Sequence, residues 1–254
     1  GRVCHHPCES VCVRRDYDEA ITINGVKRFL AERETDERRA AHFAALRERA
    51  EAAASGERVA VIGAGPAGLT AAHDLRVRGH EVVVFERERR PGGLLASGIP
   101  PYRMPRDLLE REIDGILSLG IDLELGAALG ADFTVEQLLG ERGFAAVCLA
   151  VGAHQGMRLS VPGEDAEGIE EGLWFLRRVF LDDDRAVGRQ VLVVGGGDAA
   201  IDAARTAVRL GANEVKILYR RTEDEMPAAP EEVAAAREEG VEIVFQAVPV
   251  GFEK

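Results

Sequence analysis

The chain has 254 residues, 46% hydrophobic and 30% charged, a balance that suits one or two folded globular domains and excludes a disordered or collagen-like chain. Its 32 basic and 44 acidic residues leave a net charge of −12, which repels a phosphate backbone and speaks against nucleic acid as a partner. The longest strongly apolar run, Ala145 to Ala153, is nine residues, too short to cross a bilayer.

The first sixteen residues are irregular and rich in cysteine. Pro7 suits the first position of a helix that would carry Cys8 and Cys12. Residues 25–54 read as helix, with Val26, Phe29 and Leu30 as one apolar set and Phe43 and Leu46 amid dense charge. Ser55-Gly56 reads as a linker. From Arg58 the texture alternates: a strand to Ile62, a glycine turn, a helix from Pro66 to Arg78, and a strand from Glu81 to Phe85. A Gly/Pro-rich loop follows, then a helix from Pro105 to Leu119 and strands at Ile121–Leu125 and Phe144–Val151. The plan restarts about 130 residues later, with a strand Gln190–Val194, glycines, a helix to Leu210, a strand Val215–Tyr219, a helix Glu231–Glu239 and a strand Val241–Val248. Alternation of this kind argues for an α/β fold with parallel sheets covered on both faces. The chain opens on Gly1 and closes at Lys254 soon after a strand-like run, so it is expected to be a piece of a longer protein.

Two glycine loops carry the chemistry. Gly63-Ala-Gly65-Pro66-Ala67-Gly68 follows a strand, opens a helix and is answered by Glu86 at the end of the next strand. In a dinucleotide-binding turn, Gly63 permits the tight bend, Gly65 admits a pyrophosphate and Gly68 lets the helix pack on the strand. The helix N-terminus offers partial positive charge to the phosphates. A carboxylate at position 86 accepts from a ribose diol and repels a 2′-phosphate, so this loop is expected to hold FAD or NAD rather than NADP. The loop Pro91 to Pro105 reads as a wall of that pocket. The second loop, Gly195-Gly-Gly197-Asp198-Ala199-Ala200, repeats the fingerprint, but Arg220 and Arg221 follow its second strand. Guanidinium groups bind a 2′-phosphate bidentately, which points to NADPH. The bland alternatives are a ligand-free glycine turn and a pair of solvated arginines.

Cys4, Cys8 and Cys12 fall within nine residues. Three crowded thiols suggest a metal or cluster in a reducing, cytoplasmic setting rather than a disulfide framework. Iron–sulfur ligation fits them; zinc with His5 or His6 is the rival. His5 and His6 themselves read as local polar residues, and Cys148 as a small core residue of its strand.

Taken together, Gly1-Arg-Val-Cys-His-His-Pro-Cys-Glu-Ser-Val-Cys12, the two glycine loops, the Gly92-Gly93 to Met104-Pro105 loop, Tyr219-Arg-Arg221 and Glu225-Met-Pro-Ala228 resemble the glutamate synthase small (beta) subunit family over nearly the whole chain. The resemblance implies a helical iron–sulfur segment at residues 1–55, the first part of an FAD domain at 56–157 and an incomplete NAD(P)H domain at 158–254. It implies an NADPH-dependent flavin oxidoreductase that passes electrons to iron–sulfur centres of the 4Fe-4S type and to a large catalytic subunit. It adds Gly93, Leu94, Arg103 and Gly152 to the cofactor contacts. Similar modules occur in dihydropyrimidine dehydrogenase, so another iron–sulfur acceptor, or a truncated scaffold without flavin, are the alternative readings. Many family members carry Asn where this chain has Asp198. No catalytic acid or base is assigned, because hydride transfer between stacked rings needs none from the protein.

Overall fold

A computed structural model describes residues 1–253. The chain divides into two compact units, Gly1–Gly92 with Pro101–Gly152, and Gly93–Pro100 with Ala153–Lys254.

The first unit begins with a single helical turn, α1 (Pro7–Ser10), followed by α2 (Ile23–Glu32) and α3 (Asp36–Ala52). The sequence reads one helix over 25–54; the chain instead breaks at Arg33 to Thr35, where Thr35 caps α3 by accepting from the Arg38 N–H. Thr followed by two acidic residues in the first turn is an N-terminal signal, and it overrides the run of helix formers around it. Strand β1 (Arg58–Ile62), helix α4 (Pro66–Val77) and strand β2 (Glu81–Glu86) form the first β-α-β unit. β1 pairs in parallel with β2 from Arg58 against Glu81 to Ile62 against Phe85. Both strands are β-branched runs with four or five consecutive buried residues, the pattern of a sheet covered on both faces.

Within Gly93–Pro100 lies a short helix, α5 (Leu94–Ser97), which belongs to the second unit. The first unit resumes with α6 (Arg106–Leu117), β3 (Asp122–Leu125), α7 (Val135–Gly140) and β4 (Ala146–Leu149). The sheet order is β3-β2-β1-β4. Phe85 is the centre of its core, with the Phe133 ring 4.9 Å and the Phe144 ring 5.9 Å away between centroids; burying one such side chain contributes about 1.5–3 kcal/mol. β4 is an edge strand, so Cys148 is half-buried rather than in the core, and Leu149 is exposed.

The second unit continues with α8 (Gly172–Phe180), β5 (Gln190–Val194), α9 (Asp198–Arg209), β6 (Glu214–Tyr219), α10 (Pro230–Glu238) and β7 (Glu242–Phe245). Its three strands are parallel in the order β5-β6-β7. α8, which the sequence reading passes over, buries Phe175, Leu176 and Val179. Those residues join Ile201, Ala204 and Ala207 of α9 and Val215 and Ile217 of β6 in one core. The single tryptophan, Trp174, lies on the outer side of α8, half-exposed, with the Arg177 guanidinium 5.3 Å from its ring centroid.

Candidate functional site

The first glycine loop sits between β1 and α4, where its geometry leaves no room for a side chain at Gly63 or Gly68. A Cβ on Gly63, whose φ is +105°, would lie 2.4 Å from the Ala150 carbonyl oxygen. A Cβ on Gly68 would lie 1.8 Å from the Gly63 carbonyl oxygen. Pro66 takes the first position of α4 and no side chain caps its N-terminus, so the first-turn amides are left for a ligand. Glu86 is 6% exposed. Its Oε2 accepts from the Ala64 N–H at 2.7 Å and its Oε1 from the Glu88 N–H at 2.9 Å. Each oxygen keeps a second lone pair, so the carboxylate is fixed against the loop and still able to receive a ribose hydroxyl. That grip on Ala64 was not legible in the motif.

The remaining first-pocket candidates are divided between the units. Pro66, Ala67, Arg103 and Gly152 belong with Gly63–Gly68 and Glu86 in the first; Gly93 and Leu94 belong to the second. Gly92 is tied to the loop by its N–H, which donates to the Ala64 carbonyl at 2.8 Å. Arg106 is a basic residue of this region that sequence reasoning missed. Its pKa is lowered by burial and by the nearby charge of Arg90, so two cations are held close together beyond the end of β2. The Arg-Glu-Arg-Arg run at 87–90 was the available signal.

The second loop repeats the plan with looser contacts. Gly195 has φ +138° and a Cβ there would meet only the Ala200 methyl, at 3.6 Å. A Cβ on Gly197 would enter open space, with nothing within 4 Å, which is the room a pyrophosphate needs beside the uncapped start of α9. Asp198 and Ala199 occupy the first turn of α9 with Ala200. The Asp198 Oδ1 accepts from the Ala229 N–H at 3.1 Å, so this carboxylate is engaged with the chain ahead of α10. Arg220 and Arg221 follow β6 and are exposed. A cavity of about 1030 Å³ in the same unit is lined by Leu192, Val194, Ala199, Ala200 and Phe252 among others. It runs beside β5 and does not include Gly195, Gly197 or the two arginines.

The three N-terminal cysteines do not form the helical stripe that their spacing allows. α1 ends at Ser10, which leaves Cys4 before it and Cys12 after it. All three are free thiols, and the His6 N–H donates to Cys4 Sγ at 3.4 Å. The donor chemistry suits a soft metal. Among the described residues, however, no three His, Cys, Asp or Glu side chains come together as a metal site. His6 Nδ1 instead lies 3.2 Å from Glu9.

Comparison with known proteins settles the family. A match to the pyridine nucleotide-disulphide oxidoreductases extends over residues 57–254. The chain belongs to that family. As a pyridine-nucleotide oxidoreductase it is similar to the NADP(+)-dependent formate dehydrogenase subunit beta of Moorella thermoacetica, 44% identical over 95% of this chain and 36% of the relative. It is also similar to the NADPH-Fe(3+) oxidoreductase subunit beta of Geobacter sulfurreducens, 41% identical over 98% of this chain and 37% of the relative. The glutamate synthase resemblance holds as well: the NADPH glutamate synthase small chain of Escherichia coli is 36% identical over 100% of this chain and 55% of its own length. The chain thus spans between about a third and just over half of these relatives. Among solved structures, Mycobacterium tuberculosis FprA in complex with NADPH shares the fold, with a TM-score of 0.64 at 18% identity over 78% of this chain and 61% of that one. Lactococcus lactis thioredoxin reductase aligns with a TM-score of 0.56 at 26% identity over 78% and 67%. No helix among the described residues is long and apolar enough to cross a membrane.

Proposed function

We propose that this chain is the electron-input module of an NADPH-dependent flavoprotein. The observation that carries the reading is the opposite chemistry beside the two glycine loops, at or just past the end of each second strand. The second strand of the first unit ends in a buried carboxylate, Glu86, turned onto its glycine loop. The second strand of the other unit ends at Tyr219 and is followed directly by two exposed arginines, Arg220 and Arg221. Gly63, Gly65, Pro66, Ala67 and Gly68 would hold the FAD pyrophosphate and Glu86 its ribose diol, with Gly93, Leu94, Arg103 and Gly152 as further contacts. Gly195, Gly197, Ala199 and Ala200 would receive the NADPH pyrophosphate, and Arg220 and Arg221 its 2′-phosphate. Asp198 shapes the loop from the side of Ala229. When bound, the flavin supplies the chemistry, taking two electrons from NADPH as hydride and releasing them singly.

The electrons would leave for a partner subunit, a large catalytic subunit of the glutamate synthase type. The 44% identity to a formate dehydrogenase subunit favours a second reading, in which another iron–sulfur oxidoreductase is the acceptor. Cys4, Cys8 and Cys12 remain candidate ligands of an iron–sulfur cluster on the chemistry of their thiols alone.

Two experiments on the complete protein test these assignments. Charge-assisted hydrogen bonds contribute about 1.5–3 kcal/mol each, so Arg220→Ala/Arg221→Ala should lower the preference for NADPH over NADH by roughly 100-fold or more. The measurement is kcat/KM with each nucleotide; equal losses would place the arginines in the fold or on the pyrophosphate. Anaerobically purified protein should contain iron and acid-labile sulfide, and Cys8→Ser should lose both. Stoichiometric zinc without sulfide would remove the cluster from the reading.

A further inference from the structure

Arg220 and Arg221 are exposed, yet the backbone that carries them is held at both ends. Before them, Tyr219 closes β6 with its side chain buried. Its ring lies flat against Gly196, where a Cβ would come within 2.4 Å of the ring carbons Cδ2 and Cε2. Its hydroxyl donates to the Glu225 carbonyl, six residues on and past the two arginines in the chain, at 2.6 Å. After them, Thr222 donates through its N–H and its Oγ to Glu225 Oε2, at 3.3 and 3.0 Å. The segment then returns to the glycine loop: the Ala228 N–H donates to the Gly196 carbonyl at 3.1 Å and the Ala229 N–H to Asp198 Oδ1 at 3.1 Å. Residues 219–229 thus form a strap anchored on Gly196 by a ring at one end and by a backbone hydrogen bond at the other.

We propose that Tyr219 is a positioning residue for dinucleotide choice: its hydroxyl fixes the arginine-bearing turn relative to the phosphate loop. The inference rests on the assignment of the second loop to NADPH. A nucleotide with a 2′-phosphate must satisfy the loop amides and the arginines together, so a turn already held in place spares the cost of ordering it on binding. A nucleotide without that phosphate uses the loop alone and is indifferent to the turn. The ring and the hydroxyl of Tyr219 therefore have separable effects. The ring supports Gly196 and the pyrophosphate site, which both nucleotides need. The hydroxyl serves only the arginine turn. Glu225 is an exposed residue and its bond to Tyr219 is only part-buried, so water within reach of the carbonyl would replace the lost donor, and the change should act on order more than on folding.

The test is calorimetric titration of the full-length protein with NADP⁺ and with NAD⁺. Tyr219→Phe keeps the ring and should weaken NADP⁺ about tenfold, the scale of one hydrogen bond, with NAD⁺ changed less than about twofold. Thr222→Val, at an exposed position, should act in the same direction by about threefold and carries the test if the Phe variant is unstable. Adding Tyr219→Phe to Arg220→Ala/Arg221→Ala should weaken NADP⁺ no further. Equal weakening of both nucleotides by Tyr219→Phe, or no change in either variant, overturns the role of the hydroxyl. If the arginine variant itself fails to separate NADP⁺ from NAD⁺, the nucleotide assignment is what has failed, and the positioning role falls with it. If it separates them and the Tyr219 and Thr222 variants do not, only the positioning role is lost.

Discussion

The two glycine loops follow one plan but hold their helices by different means. In the first unit, α4 presses on its loop so closely that the third glycine is obligatory: a Cβ on Gly68 would sit 1.8 Å from the Gly63 carbonyl oxygen. In the second, the corresponding place is Ala200, whose methyl is 3.6 Å from where a Gly195 Cβ would be. The extra room at α9 is offset by charge. Arg205, 8% exposed, donates to Glu239 at 2.7 Å and to Glu232, and Arg209 donates to Glu239 at 2.7 Å, tying α9 to α10 and its C-terminal cap. A dinucleotide turn can therefore be fixed by steric closeness or by a neighbouring ion network, and the choice sets which substitutions it tolerates.

Four substitutions probe that difference. Gly68→Ala should be the most damaging, destabilising the first unit by about 3 kcal/mol or more, because the clash is with backbone that cannot rotate away. Ala200→Gly should cost the second unit only about 1 kcal/mol of helix propensity. Chemical denaturation measures both, and comparable losses would erase the contrast. Arg205→Met should come next, at about 1–3 kcal/mol, since it leaves two partly buried carboxylates with fewer partners. It should also change the pH dependence. Burial pushes the Glu239 carboxyl up, but Arg209 and Arg205 outweigh it and hold the net value below the ordinary 4.5. A depressed carboxyl contributes stability that is present above the ordinary value and is lost as pH falls through the lowered one. The wild-type second unit should therefore lose stability on acidification below about pH 4.5, and the Arg205→Met variant should lose less. An effect as small as that of Ala200→Gly is expected at Thr134→Ala. It removes the capping box that Thr134 and Gln137 form at α7, at about 1 kcal/mol, and confines the loss to the first unit.

What could be read from residue order was whatever local pattern determines. Both glycine fingerprints, the strands that precede them and the helices they open lie where the spacing puts them, because the left-handed turns at Gly63 and Gly195 and the β-branched runs are local requirements. The failures are of two kinds. Some signals are present in the residues but easily passed over: the Thr35 cap that splits the helical run, and the apolar spacing of Phe175, Leu176 and Val179 that makes α8. Others had no local signature. Asp198 takes its partner 31 residues away at Ala229, and the fastening of Glu86 to Ala64 spans 22 residues. Cys148 reads as core because its strand is apolar, but burial depends on where a strand lies in the sheet, and β4 is at the edge.

Trp174 gives the two halves of the molecule different optical visibility. The chain has one tryptophan against three tyrosines, and it lies on α8 of the second unit, half in solvent with a guanidinium over its ring. Excitation at the red edge of the indole band therefore interrogates that unit alone, whereas far-ultraviolet circular dichroism averages over both. Recording the two signals through one denaturation curve would show whether the units melt together, without any label: superposed transitions mean one cooperative block, and a lag between them measures the stability of each unit separately.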